Sequence, residues 1–312
     1  MRIAIFGTGG VGAYFGGRLA QAGNDVTFIA RGKQLDAIIA RGLQVHSING
    51  SFAVHPAKAT DRPSGVGVVD LVLCCVKAYQ VPEVAEEMRH LVGPGTMVMT
   101  LQNGVEAHIA LSRTIHSRHI LPGVCKIISM LEAPGIIRHE SVEPSLTFGE
   151  MDGSLTPRVE HLVKLFSDSH GVTVYTSRNI LSVLWKKLML MAPWGGLGAL
   201  SRSPIGVIRK MPETREMLLT SVREVYAVAR ATGIVVDEKA IDATMGFIDH
   251  LAPGATTSMQ RDIMEARRSE LNEQCGAVVR FGDKGGVSTP LSRFIYHSLL
   301  PLEGMARGEI AI

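Results

Sequence analysis

The chain begins with a short apolar segment that leads directly into a glycine-rich turn. Residues 2–6 read Arg-Ile-Ala-Ile-Phe, which predicts a buried β-strand, and a Gly-x-Gly-x-x-Gly pattern follows at Gly7, Gly9 and Gly12. A helix is predicted over about residues 11–22, so its N–H groups and the positive end of its dipole face the turn. A strand, a turn and a helix in this order are typical of the first part of a βαβ unit.

Each glycine of this turn has a separate role if the turn binds a dinucleotide. Gly7 permits the tight turn, Gly9 lets the backbone approach a pyrophosphate, and Gly12 lets the helix pack closely on the strand. The alternative is a glycine-rich turn that serves packing alone, but its position between a strand and a helix at the N-terminus favours cofactor binding. The predicted cofactor-binding turn consists of Gly7, Thr8, Gly9, Gly10, Val11 and Gly12.

The end of the second predicted strand indicates which dinucleotide binds. An NAD site usually carries an acidic residue there for the ribose 2′-hydroxyl, whereas this chain has Arg31 and Lys33 directly after residues 25–30. The planar guanidinium of Arg31 can bind a 2′-phosphate through two donors. The alternative is a basic loop that is merely solvated. We favour NADP(H) as the cofactor.

The composition is that of a soluble protein with two domains. A chain of 312 residues is too long for one small core, and 46% hydrophobic with 20% charged residues excludes a disordered protein. The net charge of +3 gives no reason to expect a nucleic-acid partner. The four cysteines lack metal-ligand spacing and the histidines are scattered, so no metal site is predicted and a reducing cytoplasm is favoured.

No segment is predicted to cross a membrane or to act as a signal peptide. The longest apolar stretch, residues 181–200, is interrupted by Lys186 and Lys187 and then by Pro193 and several glycines. The apolar run at the N-terminus is only a few residues long and leads into the glycine turn. We therefore expect a cytoplasmic protein.

Strand-like and helix-like segments alternate in the first half of the chain, which predicts a Rossmann-type α/β domain over residues 1–176. An all-helical domain is expected over residues 177–312. Loops at the carboxyl ends of parallel strands bind ligands in such folds, and Lys77 and Asn103 lie in two of these loops. Other expected elements are a hairpin around Asn49-Gly50 and strands at about 120–130, 135–139, 145–149 and 172–175.

A predicted helix over about residues 180–192 carries the leading catalytic candidate. Its apolar residues recur with the period of one helix face, and Lys187 has apolar neighbours one turn before and one turn after it. A lysine in that setting either extends its amine to the surface or holds it in a cleft, where it can transfer a proton. Both interpretations remain open.

A second predicted helix, over about residues 258–281, carries Glu270 within its apolar stripe. A carboxylate in such a stripe needs a partner, and Lys187 is a natural one. The alternative is an ordinary exposed glutamate in a charged segment. Thr257 or Ser258 is expected to cap this helix, and a capping serine can also line an anion site.

In their order and spacing, these motifs resemble those of the ketopantoate reductase (2-dehydropantoate 2-reductase) family, and the match spans nearly the whole chain. The segments that carry the resemblance are Gly7-Thr-Gly-Gly-Val-Gly12, Arg31, Val76-Lys77-Ala-Tyr-Gln80, Gln102-Asn103-Gly104, Leu184-Trp-Lys-Lys187-Leu188, and Thr257-Ser-Met-Gln-Arg-Asp262 with Glu270. The resemblance implies NADPH-dependent reduction of a 2-oxo acid to a 2-hydroxy acid, in the route to pantothenate. It also implies a site in the cleft between the two domains.

The resemblance assigns a role to each candidate residue. Lys187 is implied to be the general acid, which protonates the carbonyl oxygen and stabilises the developing alkoxide. Glu270 would hydrogen-bond the substrate hydroxyl, and Ser258 would bind the substrate carboxylate. Asn103 would orient the cofactor ribose and the reacting groups, with Lys77 close to the cofactor.

One departure from the family pattern bears on the substrate. The family usually carries three asparagines after the catalytic lysine, and an ungapped alignment places Met191, Gly195 and Ile205 at those positions. Loss of three side-chain amides should change the specificity. Three functions therefore stay open: reduction of ketopantoate, reduction of a more apolar 2-oxo compound, and NADPH sensing without turnover. The helical half is rich in methionine and leucine, which is compatible with a homodimer.

Overall fold

The computed structural model describes residues 1–311, which divide into two compact units. The first unit consists of Met1–Gln102 and Ala107–Ile180. The second consists of Asn103–Glu106 together with residues 181–311. The loop Asn103–Glu106 therefore belongs to the second unit, although the chain on both sides of it belongs to the first.

The first unit is built on a mixed β-sheet. Its strands are β1 (Arg2–Phe6), β2 (Asp25–Ile29), β3 (Leu43–Ser47), β4 (Phe52–Val54), β5 (Lys58–Thr60), β6 (Leu71–Cys74), β7 (Met97–Thr100), β8 (Ile120–Ala133), β9 (Ile136–Phe148) and β10 (Thr173–Thr176). The strand order is β4-β3-β9-β8-β7-β6-β1-β2-β5, and β10 pairs with β9. Strands β7, β6, β1 and β2 are parallel neighbours, whereas β8–β9 and β3–β4 are antiparallel.

Helices cover both faces of this sheet. They are α1 (Gly10–Gln21), α2 (Gly32–Arg41), α3 (Val81–Met88), α4 (Ala107–Ser112) and α5 (Pro157–Ser167). Successive side chains of β1 point to opposite faces. Ile3 and Ile5 accordingly join the core that contains α1 and α5, and Ala4 and Phe6 join the core that contains α3 and α4.

The predicted opening of the chain is confirmed, since β1, the glycine turn and α1 follow one another as expected. The hairpin around Asn49-Gly50 is also confirmed as β3–β4. The prediction of separate strands at 135–139 and 145–149 is wrong. These segments form the single strand β9, because β9 pairs along its length with β8 in an antiparallel ribbon that absorbs two irregularities.

The second unit is helical, as predicted. Its helices are α6 (Ile180–Ser201, whose first residue belongs to the first unit), α7 (Ile205–Ile208), α8 (Pro212–Ala231), α9 (Lys239–His250), α10 (Ser258–Met264), α11 (Leu271–Gly285) and α12 (Pro290–Ala306). Helix α6 continues through Pro193, beyond its predicted end. Glycines allow this stretch to pack closely, because a Cβ at Gly196 would lie 2.6 Å from a methyl carbon of Ile295.

Two general properties of the described part of the chain bear on function. Across residues 1–311, no helix combines the length and the apolar character needed to span a bilayer. Within residues 1–311, none of the cysteines, Cys74, Cys75, Cys125 and Cys275, forms a disulfide.

Candidate functional site

The glycine turn of the first unit is closely packed at Gly7 and Gly12 and accessible at Gly9. Gly7 has φ +97°, a conformation that favours glycine. A Cβ at Gly12 would lie 2.1 Å from the carbonyl oxygen of Gly7, so the start of α1 can approach the turn only without a side chain. A Cβ at Gly9 would have nothing within 4 Å. The backbone at Gly9 is therefore accessible to a ligand.

The first turn of α1 can accept a negatively charged group. The first intrahelical bond runs from the Ala13 N–H to the Gly9 carbonyl at 2.9 Å, and an α-helix leaves the N–H groups before it without helical partners. No acidic side chain lies in this first turn, residues 10–13. Free amides and the helix dipole both favour a phosphate at this position, so the turn fits the pyrophosphate of a dinucleotide.

Thr8 ties the turn to the second strand. Its side chain is buried, and its hydroxyl donates to the carbonyl of Ile29 at 3.0 Å. The Thr8 carbonyl in turn accepts a hydrogen bond from the side-chain amide of Gln34 at 2.9 Å. These contacts hold the glycine turn beside the end of β2, where the residue that would contact the ribose is expected.

Arg31 lies at that position, as the residue that precedes α2, and its side chain is exposed. Its guanidinium is 2.7 Å from a carboxylate oxygen of Glu87, and the two side chains are 56% and 37% exposed. An ion pair this exposed contributes little free energy. Arg31 can therefore exchange this carboxylate for a phosphate at small cost.

The loops after β6 and β7 lie at the carboxyl ends of neighbouring parallel strands, as predicted. Lys77 is partly buried and directly follows Val76, whose backbone nitrogen would be 2.6 Å from a Cβ at Gly7. Lys77 is therefore adjacent in sequence to a residue that packs on the glycine turn. Gln102 is buried and donates to the carbonyls of Cys74 and Val76 at 2.8 and 3.1 Å, which fixes the two strand ends to each other.

In the second unit, the two adjacent lysines of α6 differ in solvent exposure. Lys186 is exposed and Lys187 is partly buried. Met191 lies one turn after Lys187, on the same face of the helix, and is also partly buried. A cation with an apolar neighbour at this spacing can face a ligand that has both a polar and an apolar part.

Gly195 and Ile205, the other two positions where the resemblance predicts asparagine, are closely packed against their neighbours. Ile205 is fully buried. A Cβ at Gly195 would lie 2.8 Å from both the terminal methyl of Met259 and the hydroxyl of Thr257, so no longer side chain fits there without rearrangement. Of the three departures, Met191 alone has a partly exposed side chain.

The prediction of one helix over residues 258–281 is wrong, because this segment forms two helices. Helix α10 ends at Met264 and α11 begins at Leu271, with Glu270 as the residue that precedes α11. Ala266 in the break has φ +52°, and an ion pair of 2.8 Å between Asp262 and Arg267 closes the turn. The residue that indicates the start of a second helix in the sequence is Ser269, whose hydroxyl oxygen accepts a hydrogen bond from the N–H of Leu271 at 3.1 Å.

Glu270 is buried, with 3% of its surface exposed. Its Oε2 accepts hydrogen bonds from the side-chain amides of Asn103 at 3.0 Å and Gln274 at 3.4 Å. The structure thus brings together Asn103 and Glu270, two site residues predicted from distant segments. Gln274 was missed by the sequence analysis, and the pairing of Glu270 with Lys187 stays a prediction.

Thr257, and not Ser258, caps α10. The Thr257 hydroxyl oxygen accepts the N–H of Gln260 at 3.0 Å. Ser258 is the first residue of the helix and is partly buried. Its predicted contact with a substrate carboxylate therefore stays a prediction.

Glu273 is a second carboxyl group next to this site. Burial raises the pKa of Glu273 above its ordinary value, and the nearby charge of Glu270 raises it further. One carboxyl oxygen accepts from Asn272 at 3.1 Å, and the other has no hydrogen-bond partner within residues 1–311. The folded protein therefore binds this proton more tightly than the unfolded chain does.

The raised pKa predicts how Glu273 affects stability. Because the folded state holds the proton more tightly, stability falls as pH rises from the ordinary glutamate pKa through the raised value. Glu273→Gln should therefore raise the melting temperature at pH 7.5 and leave it nearly unchanged at pH 4. The exposed Glu216→Gln is the control and should show no such pH-dependent gain. Equal effects of Glu273→Gln at both pH values would contradict the assignment.

Within residues 1–311, no group of three or more histidine, cysteine, aspartate or glutamate side chains is arranged to hold a metal ion. The candidate site residues lie in both units: the glycine turn, Arg31 and Lys77 lie in the first unit, and Asn103, Lys187, Ser258 and Glu270 lie in the second.

Comparison with known families identifies the chain. The model of the family described as ketopantoate reductase PanE/ApbA matches residues 3–153, and the model of its C-terminal domain matches residues 179–303. The chain belongs to the ketopantoate reductase family. The observed architecture, a mixed Rossmann-like sheet followed by a helical region, agrees with membership of the ketopantoate reductase family.

Individual members of the ketopantoate reductase family and related structures resemble this chain over nearly its full length. The uncharacterized oxidoreductase YkpB of Bacillus subtilis is 28% identical over 299 residues, which cover 96% of this chain and 98% of YkpB. A crystal structure of a PanE/ApbA family ketopantoate reductase from Ralstonia eutropha has a TM-score of 0.90 and 30% identity, and the match covers 98% of this chain and 100% of that one.

A third similar structure is a complex with two small molecules. The ternary structure of D-mandelate dehydrogenase with NADH and anilino(oxo)acetate has a TM-score of 0.88 and 25% identity, with 98% and 99% of the two chains covered. The ketopantoate reductase family is a family of oxidoreductases, and the similar D-mandelate dehydrogenase binds NADH in its structure.

Proposed function

We propose that this chain is an NADPH-dependent reductase that converts a 2-oxo acid to a 2-hydroxy acid, with 2-dehydropantoate (ketopantoate) as the leading substrate. The observation that carries the proposal is the hydrogen bond of 3.0 Å between Asn103 and Glu270. It joins two residues that were assigned to the site from separate motifs, in the unit that also contains Lys187.

In the proposed reaction the protein supplies a proton and the binding contacts. Lys187 donates a proton to the carbonyl oxygen, and its charge stabilises the alkoxide as it develops. Glu270 accepts a hydrogen bond from the substrate hydroxyl, and Ser258 binds the substrate carboxylate. The bound nicotinamide would supply the hydride.

The first unit supplies the residues that would hold the cofactor, apart from Asn103 of the second unit. The glycine turn would bind the pyrophosphate through backbone amides, since the side-chain-free surface at Gly9 leaves room for it. Arg31 would bind the 2′-phosphate. Lys77 would lie near the cofactor, and Asn103 would orient the ribose.

Arg31→Ala tests the preference for NADPH. Removing the guanidinium should raise the KM for NADPH by roughly tenfold to a hundredfold, the usual value of a charge-assisted pair of hydrogen bonds. The KM for NADH should change little, because NADH has no 2′-phosphate. Arg41→Ala, at the other end of α2, is the matched control and should affect neither cofactor. Parallel increases for NADPH and NADH would refute the proposed contact.

A second candidate substrate is a more apolar 2-oxo acid. Its support is Met191, a partly buried residue one turn after Lys187 on the same helix. D-mandelate dehydrogenase, which resembles this chain, was crystallised with a 2-oxo ligand that carries an anilino group. A bulkier, less polar side of the substrate would suit a methionine at this position.

Steady-state kinetics with two substrates separate these candidates. Ketopantoate and an aryl 2-oxo acid should be compared by kcat/KM at saturating NADPH. Saturation with ketopantoate at or below millimolar concentration supports the leading assignment. Saturation only far above millimolar, together with a higher kcat/KM for the aryl acid, would replace it with the second candidate. Absence of turnover with either compound would argue against reductase function.

We further propose a cytoplasmic protein, supported by the cysteine content of the sequence. A homodimer is compatible with the methionine- and leucine-rich helical half. Sedimentation equilibrium would test the second statement, since a single species of 33.6 kDa would contradict it.

A further inference from the structure

Gln274 is a buried amide on the first turn of α11, with none of its surface exposed. Its side-chain Nε2 lies 3.4 Å from Oε2 of Glu270, and its backbone N–H donates to the Glu270 carbonyl at 3.0 Å. Its side-chain oxygen has no hydrogen-bond partner in the part of the chain that the structure describes. A buried, unsatisfied acceptor costs free energy that an apolar side chain of similar size would avoid.

The rest of α11 shows what packing alone favours. The other buried residues of the helix are apolar or small: Leu271, Cys275, Gly276, Ala277, Val278, Val279 and Gly282. A polar exception in such a stripe is expected where a site requires it at the expense of stability. The one side-chain hydrogen bond of Gln274 that the structure gives is the bond to Glu270.

We propose that Gln274 is a positioning residue that fixes the carboxylate of Glu270 for substrate binding. This inference rests on the role proposed above for Glu270. Asn103 and Gln274 donate to the same oxygen from two separate segments, so together they restrict rotation of the carboxylate. A carboxylate held in this way keeps a constant direction toward the substrate hydroxyl.

The backbone on the other side of Glu270 is held independently. The N–H of Ser269 lies 3.2 and 3.1 Å from the two carboxylate oxygens of the buried Glu303, and the Ser269 hydroxyl donates to Glu303 at 2.6 Å. Glu303 therefore anchors the main chain next to Glu270, whereas Asn103 and Gln274 act on the Glu270 side chain.

A double-mutant cycle tests this proposal. Gln274→Met should raise the KM for the 2-oxo acid about tenfold, the usual loss for one hydrogen bond to a charged group. The value of kcat should change less, and the KM for NADPH should not change. In a Glu270→Gln background, Gln274→Met should have no further effect on KM, because Gln274 acts through the carboxylate. The melting temperature of Gln274→Met should stay within a few degrees of wild type, since the unsatisfied acceptor is also removed.

The control and the second variant keep the test decisive. Thr244→Val removes a buried hydroxyl of α9 that donates to the Ala240 carbonyl, and it should leave the KM unchanged. Gln274→Leu repeats the measurement in case the methionine variant is unstable. A wild-type KM in both Gln274 variants, or an undiminished effect in the Glu270→Gln background, would overturn the proposal. If Glu270→Gln alone has wild-type kinetics, the proposed role of Glu270 fails, and the proposal for Gln274 fails with it.

Discussion

Lys187→Ala is expected to lower the kcat of the proposed reduction by roughly a thousandfold, within the range reported for loss of a general acid that also stabilises developing charge. The amine is the proposed proton donor, and alanine provides neither the proton nor the positive charge. The KM for NADPH should change little, because the residues proposed to hold the cofactor lie in the first unit, apart from Asn103. Steady-state kinetics with saturating 2-oxo acid measure this effect.

The adjacent lysine provides the matched control. Lys186 is exposed on the same helix, and Lys186→Ala should keep kcat within about twofold of wild type, as for an ordinary surface substitution. Near-normal turnover in Lys187→Ala would contradict its role as the general acid. A reductase activity that Lys187→Ala abolishes would also exclude an NADPH sensor without turnover.

Gly12→Ala should have the largest effect in the first unit. The new Cβ would lie 2.1 Å from the Gly7 carbonyl oxygen and 2.9 Å from the Cβ of Cys75, so α1 must move away from the turn. We expect the free energy of unfolding to fall by about 3 kcal/mol, at the upper end of ordinary overpacking costs. The Kd for NADPH should rise by about a hundredfold or more, because the backbone amides no longer face the pyrophosphate.

Denaturant unfolding and a fluorescence titration with NADPH measure these two effects separately. Gly65→Ala is the control in the same unit, because a Cβ at Gly65 has nothing within 4 Å and Gly65 does not require a positive φ. This variant should match wild type in both assays. Wild-type affinity of Gly12→Ala for NADPH would show that the turn does not bind the pyrophosphate.

The features that the sequence predicted correctly depend on local patterns. The glycine turn lies where it was expected because Gly7 and Gly12 meet constraints set within a few residues of the chain. The alternation of strands and helices likewise predicted the fold. The single strand β9 was missed because its continuity depends on pairing with β8, which short windows of sequence do not contain.

The environment of Glu270 illustrates what local patterns could not predict. Its apolar neighbours suggested one long helix, but the Asp262–Arg267 ion pair and the hydrogen bond to Ser269 end one helix and start another. Its partner Asn103 is 167 positions away in sequence. Gln274 was overlooked because a single amide in an apolar stripe has no motif of its own.

The loop Asn103–Glu106 makes the second unit discontinuous along the chain, which limits how relatives can be recombined. A fragment that begins at Leu181 would contain Lys187 and Glu270, but it would lack Asn103 and also Glu106, which forms an ion pair with Arg280. A chimera with one crossover near residue 180 would therefore combine the loop of one parent with the α11 of the other. Such hybrids should retain function only when both parents preserve these two pairs.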